Sequence, residues 1–349
     1  MENKRILCFM NDLSADLFKS FIEKIAMNNE MQIIKRPSGY LTDLKSLHYN
    51  PYFILRRIVY AWKYKKMQRE MISQLNGQYD YFLAIGYYQM SKSFIKELKR
   101  KSPQCKTILY LYDTLSKNDF SNDIKLFDSV FTFDRNDAIK YKLEYLPFFI
   151  DEYPCETLEY DICHIGQLNA GHIARFNILD SIQKENPSLR TFFYLQYQKT
   201  KGFSRQWVRL FIKKIFNKGE RQFAQMIKNV TNSDMLHEKR ISYDEIKTIE
   251  AKSRVILDIN EQRAGLSPRI INALGNGKKV ITNQYSIKEE VFYDPDFVTV
   301  IDENNPQIGA SLLPPPDKVL NINDLRVQSW IDILCKLTEN RYNNSARQR

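Results

Sequence analysis

Along the first 150 residues, short apolar runs alternate with longer stretches in which apolar side chains return every three to four positions. The runs Lys4–Met10, Met31–Lys35, Tyr79–Ile85, Thr107–Tyr112, Ser129–Phe133 and Glu144–Phe148 have the length and continuity of buried strands. Leu13–Asn28 carries helical spacing, with Leu17, Phe21 and Ile25 four apart, and so do Phe53–Leu75 and Ser91–Lys101. A small helix separates the last two runs. Strands alternating with helices predict a parallel, doubly wound sheet covered on both faces.

The alternation lapses at residues 151–158, where Pro154 and acidic residues mark a linker, and then restarts. Tyr160–Ile165, Leu189–Leu195, Arg254–Ile259, Lys278–Thr282 and Phe297–Ile301 read as strands. His172–Lys184, Tyr243–Lys252 and Pro268–Gly275 read as helices, with Ser242 as an N-cap and Pro268 in a first turn, where its missing N–H costs little. Asp324–Leu337 is a closing amphipathic helix. The expected organisation is a Rossmann-like domain over 1–150, a linker over 151–158, a second Rossmann-like domain over 159–322, and a C-terminal helix and tail over 323–349. A length of 349 residues suits two domains of roughly 150 each.

Composition narrows the function classes. No apolar run approaches the roughly 18–20 residues needed to span a bilayer, and Asp12 interrupts the N-terminal run too early for a signal peptide. The five cysteines are scattered without a CxxC pair and fit reduced core thiols. A cytoplasmic protein is expected, at most held at the inner face of the cytoplasmic membrane. The net charge of +11 draws anions. No nucleic-acid-binding motif accompanies it, so a nucleic-acid partner is not expected. The loop after the first strand, MNDLSADLF, lacks GxGxxG, which argues against a dinucleotide-dependent oxidoreductase.

The most informative stretch is RVILDINEQRAGLSPRIINALGNGKKVIT, residues 254–282. A buried strand leads into a polar loop with Gly265, then a helix start at Ser267-Pro268-Arg269, then a glycine turn and a further strand. A helix N-terminus at the carboxyl edge of a parallel sheet offers free N–H groups and a positive dipole end to a phosphate. Arg269 adds a bidentate donor. The physical expectation is an anion-binding loop.

The pattern GLSPRIINALGNGKKVITN resembles the donor-side motif of bacterial GT-B glycosyltransferases that build lipopolysaccharide core, capsule or exopolysaccharide. YDICHIG with Arg175-Phe176 downstream, ISYDEIKTIEAKSRVILDI, VFTFDRNDAIKYKLEYLPFF and LRVQSWIDIL resemble the same group, in order, from about Thr107 to Leu334. The resemblance implies an α/β fold of the GT-B type, two Rossmann-like domains with parallel sheets facing an interdomain cleft. It implies a transferase that moves a sugar from a nucleotide donor, held by the second domain, to a hydroxyl of a glycan or lipid-linked glycan held by the first. Such enzymes typically need no bound metal, and no cofactor beyond the UDP- or CMP-linked co-substrate is expected. A hexosyl donor is preferred over CMP-linked 3-deoxy-octulosonate, an acidic sugar whose carboxylate would suit Arg269 or Arg175. Where relatives often carry a glutamate for the ribose hydroxyls, this chain has Asn272, with Glu261 upstream as a substitute. That departure keeps open a non-catalytic scaffold of the same pathway.

The expected donor-side residues are Gly166, His172, Arg175, Glu261, Gly265, Leu266, Ser267, Arg269 and Asn272; no metal ligands are expected. Gly166 is read as a close approach to phosphate or as an ordinary turn glycine, and Arg175 as a diphosphate ligand or a solvated arginine. His164 is read as a satisfied core histidine. An inverting transfer needs a base for the acceptor proton. Asp12 and Asp113 follow strands of the first domain and are the candidates, Asp12 preferred by analogy; the alternative for each is a capping or loop aspartate. Asp134 and Asp137 are read as structural. Two basic aromatic segments, Phe53–Arg69 and Lys199–Arg221, read as amphipathic helices that pack on the domain or lie on an anionic membrane.

Overall fold

We describe a computed structural model covering residues 3–10, 18–34, 53–86, 92–115, 124–197, 218–230, 233–260, 265–304, 306, 308–309 and 318–347. The chain divides into two compact units, one of Met1–Pro147 with Val327–Arg349 and one of Phe148–Arg326.

The first unit holds β1 (Arg5–Met10), α1 (Lys19–Ala26), β2 (Glu30–Ile34), α2 (Phe53–Ser73), β3 (Tyr81–Ile85), α3 (Lys92–Lys101), β4 (Lys106–Leu111), β5 (Ser129–Thr132), α4 (Arg135–Tyr141) and β6 (Glu144–Tyr145). All pairings are parallel, in the order β2-β1-β3-β4-β5-β6. β3 is buried at every position, as a central strand covered on both faces must be. On one face Met67 and Met71 of α2 join Phe94, Ile95 and Leu98 of α3 over Leu7, Phe82 and Leu109. Gly86 ends β3 at φ +90°, where a Cβ would also run into the Tyr112 ring, so glycine is required there. Asp134 caps α4 by accepting from the Asn136 and Asp137 amides, and Asp137 accepts from the Leu115 amide at 2.6 Å.

The second unit holds β7 (Tyr160–Gln167), α5 (Ile173–Glu185), β8 (Thr191–Gln196), α6 (Lys218–Asn229), β9 (Leu236–His237), α7 (Tyr243–Ala251), β10 (Ser253–Asp258), α8 (Pro268–Gly275), β11 (Lys279–Thr282) and β12 (Val298–Val300). Its sheet is again parallel, in the order β12-β11-β10-β7-β8-β9. Ser242 and Glu245 close a reciprocal capping box on α7. Residues 148–153 are held by this unit: Ile150 donates its amide to the Leu325 carbonyl at 2.7 Å, and the Asp151 amide donates to Asn272 Oδ1 at 2.8 Å.

The closing helix α9 (Val327–Arg347) completes the first unit. It starts after a 3-10 turn at Asn323–Leu325, three residues later than its periodicity predicts, and runs ten residues beyond Leu337. The strand expected over Glu144–Phe148 stops at Tyr145, since Pro147 has no N–H for a ladder. β9, only two residues long, is too short to carry a period and was not anticipated. Of the basic segment Lys199–Arg221, residues 199–217 lie outside the described residues and the remainder opens α6.

Trp330 anchors α9. It is fully buried, 4.8 Å from the Tyr110 ring and 5.4 Å from Phe21 in edge-on contacts, with Nε1 donating to the Pro147 carbonyl at 2.8 Å. Trp330→Ala is expected to cost about 3–5 kcal/mol. Urea unfolding measures it, and a loss below about 1 kcal/mol would show that α9 is not integral to that core.

Candidate functional site

Counted within the second unit, the strand order is 3-2-1-4-5-6 from β9 to β12. From β7 the chain proceeds to β8 and β9 on one side; β10 leads to β11 and β12 on the other. The carboxyl ends of β7 and β10 are therefore a topological switch point, where the following loops diverge and doubly wound sheets take their ligands. Gly166 and Gln167 end β7 there, Asp258 and Ile259 end β10, and the N-termini of α5 and α8 follow from the same edge.

Arg175, in the first turn of α5, clamps the two strand ends. Its Nη1 donates to the Gln167 carbonyl at 2.7 Å, while Nε and Nη2 donate to the Ile259 carbonyl at 3.2 and 2.9 Å. Gly166 makes room for it: a Cβ there would stand 2.9 Å from both Arg175 Nη1 and His164 Nε2. Neither of the two readings of Gly166 anticipated this steric role. His164 is completely buried, and only half of it is satisfied. Its Nδ1 faces the Leu257 carbonyl at 2.8 Å and must carry the proton, because a carbonyl only accepts. Nε2 is buried without a partner among the described residues. Burial, reinforced by the Arg269 and Arg175 cations, holds the imidazole well below its usual range and keeps it neutral. His172 occupies the N-cap position of α5, half-buried, in a loop turned by Asn169 Oδ1 accepting from the Gly171 amide at 2.8 Å.

On the α8 side, Ser267 is the N-cap and accepts from the Ile270 amide at 3.4 Å, with Pro268 next, as the sequence anticipates. Leu266 is buried, and the Gly265 carbonyl accepts from Gln284 Nε2 at 3.4 Å. Glu261 and, in the first unit, Asp12 lie outside the described residues. Asp113 is exposed just past β4, which is not a switch-point strand of its sheet.

Two expected ligands are turned inward. Arg269 Nη1 reaches Asp258 Oδ1 at 2.8 Å, Nε reaches Glu250 Oε1 at 3.1 Å, and Nη2 donates to the Ile165 carbonyl. The physical reason is charge: Glu250 and Asp258 are each 3% exposed, and two buried carboxylates demand a cation. Burial raises the Glu250 carboxyl above its ordinary value, against the opposing pull of Arg269 and a hydrogen bond at 2.8 Å from the Tyr153 hydroxyl. Asn272 is 4% exposed, and its Oδ1 is occupied by the Asp151 amide rather than presented to a ribose.

Sequence reasoning missed a polar brace on the same edge. Asn283 accepts from the Asn260 amide at 2.8 Å and donates to the Asn260 carbonyl at 3.2 Å and Glu303 Oε1 at 2.7 Å. It ties together the loops after β10, β11 and β12. The signal was present: Thr282-Asn283-Gln284 sets three polar residues at the carboxyl end of a buried strand, and all three are buried. Among the described residues, no group of three His, Cys, Asp or Glu side chains is placed to hold a metal ion, and no helix is long and apolar enough to cross a membrane.

No family model matches the chain, and no curated protein matches it in sequence. Solved structures match it in fold over almost its full length. One is a UDP-forming α,α-trehalose-phosphate synthase from Burkholderia vietnamiensis, at TM-score 0.55 and 9% identity over 99% of each chain. Another is the N-terminal domain of the Candida albicans trehalose-6-phosphate phosphatase, at 0.54 and 12% over 97% of each. A glycosyltransferase from Rickettsia africae matches at 0.50 and 13% over 99% of this chain and 100% of that one. The chain has the GT-B fold. Its two parallel Rossmann-like sheets are those expected from the alternation of strands and helices.

Two outcomes follow from the buried charges. Arg269→Ala is expected to cost about 3–5 kcal/mol, because it strands two buried carboxylates. The cost should shrink toward acid pH, as the Glu250 carboxyl, raised by burial, takes up a proton; an equal loss at all pH values would mean the cluster is solvated. His164 titrates near pH 6.5 in the unfolded chain and well below that when folded. The unfolded state therefore binds the proton first, and stability present above that pH is lost as the pH falls toward the folded value, at up to about 1.4 kcal/mol per pH unit. Denaturant titrations of wild type and His164→Gln should differ in slope below pH 6.5 by that amount, and parallel curves would contradict the assignment.

Proposed function

We propose that the protein is a nucleotide-sugar-dependent glycosyltransferase whose donor nucleotide binds at the carboxyl edge of β7 and β10. The observation that carries this reading is the switch point itself, braced by Arg175 across Gly166 and flanked by the N-termini of α5 and α8. The fold supports it, since it is shared with a synthase that forms UDP.

In this reading the anomeric C–O bond to the nucleotide breaks and a bond to an acceptor hydroxyl forms. Charge developing on the leaving phosphate is met by free N–H groups and dipoles at the two helix starts, fixed before the reaction begins, without a metal. Gly265, Leu266 and Ser267 supply backbone at the α8 start, and Glu261 takes the ribose hydroxyls that Asn272 cannot reach. Arg175 and Arg269 act by holding strand ends in place, not as ligands. Because both guanidinium groups are engaged by protein atoms, a neutral hexose is favoured over a CMP-linked acidic sugar. Asp12 is assigned as the base, with Asp113 as the alternative. The motif resemblance supports a bacterial surface glycan, of lipopolysaccharide core, capsule or exopolysaccharide, as acceptor, and a cytoplasmic site of action.

A thermal-shift screen against UDP, CMP, GDP and dTDP tests the reading, because a ligand selective for the folded state raises Tm. UDP alone is expected to stabilise the protein. Glu261→Ala should weaken UDP by about tenfold, the loss of one hydrogen bond to a charged group. Asp12→Asn should leave UDP binding unchanged and lower turnover of UDP-hexose by about 10²–10⁴-fold. No response to any nucleotide would instead favour a non-catalytic scaffold.

A further inference from the structure

Part of the positive charge of this protein is concentrated on two helices of the first unit. Helices α2 and α3 together hold eleven basic residues and two acidic ones, a surplus of nine in a chain whose net charge is +11. The two helices are neighbours that contribute to one core: Met67 and Met71 of α2, with Phe94, Ile95 and Leu98 of α3, form their buried side. Lys65, Lys66 and Arg69 of α2 are exposed, as are Lys92, Lys96 and Arg100 of α3. Intramolecular pairing removes little of this charge. Arg100 pairs with Glu97, Lys99 with Asp128, and Lys66 approaches Glu70 only to 3.9 Å. Lys65, Arg69, Lys92 and Lys96 form no ion pair among the described residues. Among these cations stands Trp62, 63% exposed, with Lys66 Nζ 5.8 Å from its ring centroid.

We infer that the α2–α3 face docks on an anionic phospholipid surface. The chemistry matches on two counts. A cationic field of this density is attracted to acidic headgroups at about 1 kcal/mol per Lys or Arg near the surface. An exposed tryptophan beside lysines is the amphipathic pairing that settles at the headgroup boundary, with the ring in the acyl margin and the ammonium groups outside it. A duplex nucleic acid would meet the charge equally well, but its bases are stacked on one another and offer no face to one large exposed indole among lysines. The face lies in the first unit, so the inference stands independently of where, or whether, a nucleotide binds in the second.

Vesicle sedimentation of the full chain, without nucleotide, tests it. The protein should partition onto phosphatidylcholine vesicles containing about 30% phosphatidylglycerol, and not onto pure phosphatidylcholine. Lys65→Gln, Lys96→Gln and Arg69→Gln combined should lower the partition coefficient by about 100-fold, and raised salt should do the same to wild type. Lys239→Gln, Lys140→Gln and Lys288→Gln, an equal charge change elsewhere on the exposed surface, should lower it by less than about tenfold. Trp62→Ala should weaken partition and abolish the blue shift of tryptophan emission on binding. Equal losses from both triple variants, an unaltered blue shift in Trp62→Ala, or retention on duplex or single-stranded nucleic acid stronger than on vesicles would overturn the proposal.

Discussion

The guanidinium of Arg269 is the interaction on which the second unit turns. It joins a carbonyl of β7, a carboxylate of β10 and a carboxylate of α7, the two strands being the pair between which the sheet changes direction. Ordinary ladder bonds hold the strands along their length, but at the carboxyl ends of β7 and β10 the loops diverge and the ladder between these two strands stops. Arg269 below the edge and Arg175 at it supply the missing connections. The cost is two buried carboxylates and a half-buried guanidinium, which persist because each is answered by an opposite charge. A crevice so braced keeps its shape before any ligand arrives, and that is what an electrostatic binding site requires.

The fold was legible because parallel strands covered on both faces are continuous apolar runs, and YFLAI or RVILD admits few other readings. Capping was legible too, since Ser242, Ser267 and Asp134 are local signals with local effects. The site was legible in place but not in detail. A motif shows that Arg269 and Asn272 sit near the loop, yet whether a side chain faces out or in depends on what lies beneath it. Glu250 and Asp258, nineteen and eleven positions away, decide it for Arg269, and the Asp151 amide, 121 positions away, decides it for Asn272. Periodicity carries no trace of such pairs. The polar brace on Asn283 belongs between these cases: its residues stand at a readable position, directly after β11, but their partners in the loops after β10 and β12 do not.

Charge followed the same pattern. The surplus of +11 is a single number until the helices are placed; then a local surplus of nine is found on two neighbouring elements of the first unit, while the switch-point edge of the second is built from glycine, amides and an ion cluster turned inward. A nucleotide held at the carboxyl edge would be selected by oriented N–H groups and shape, with little contribution from net charge, and its affinity would depend weakly on salt.

The most direct test of the central claim is amide hydrogen exchange with and without UDP, read by mass spectrometry. Slowed exchange is expected, confined to residues 165–175 and 259–270, around the carboxyl ends of β7 and β10 and the starts of α5 and α8. Protection elsewhere with those segments unchanged, or no protection at saturating UDP, would contradict a nucleotide site at this switch point.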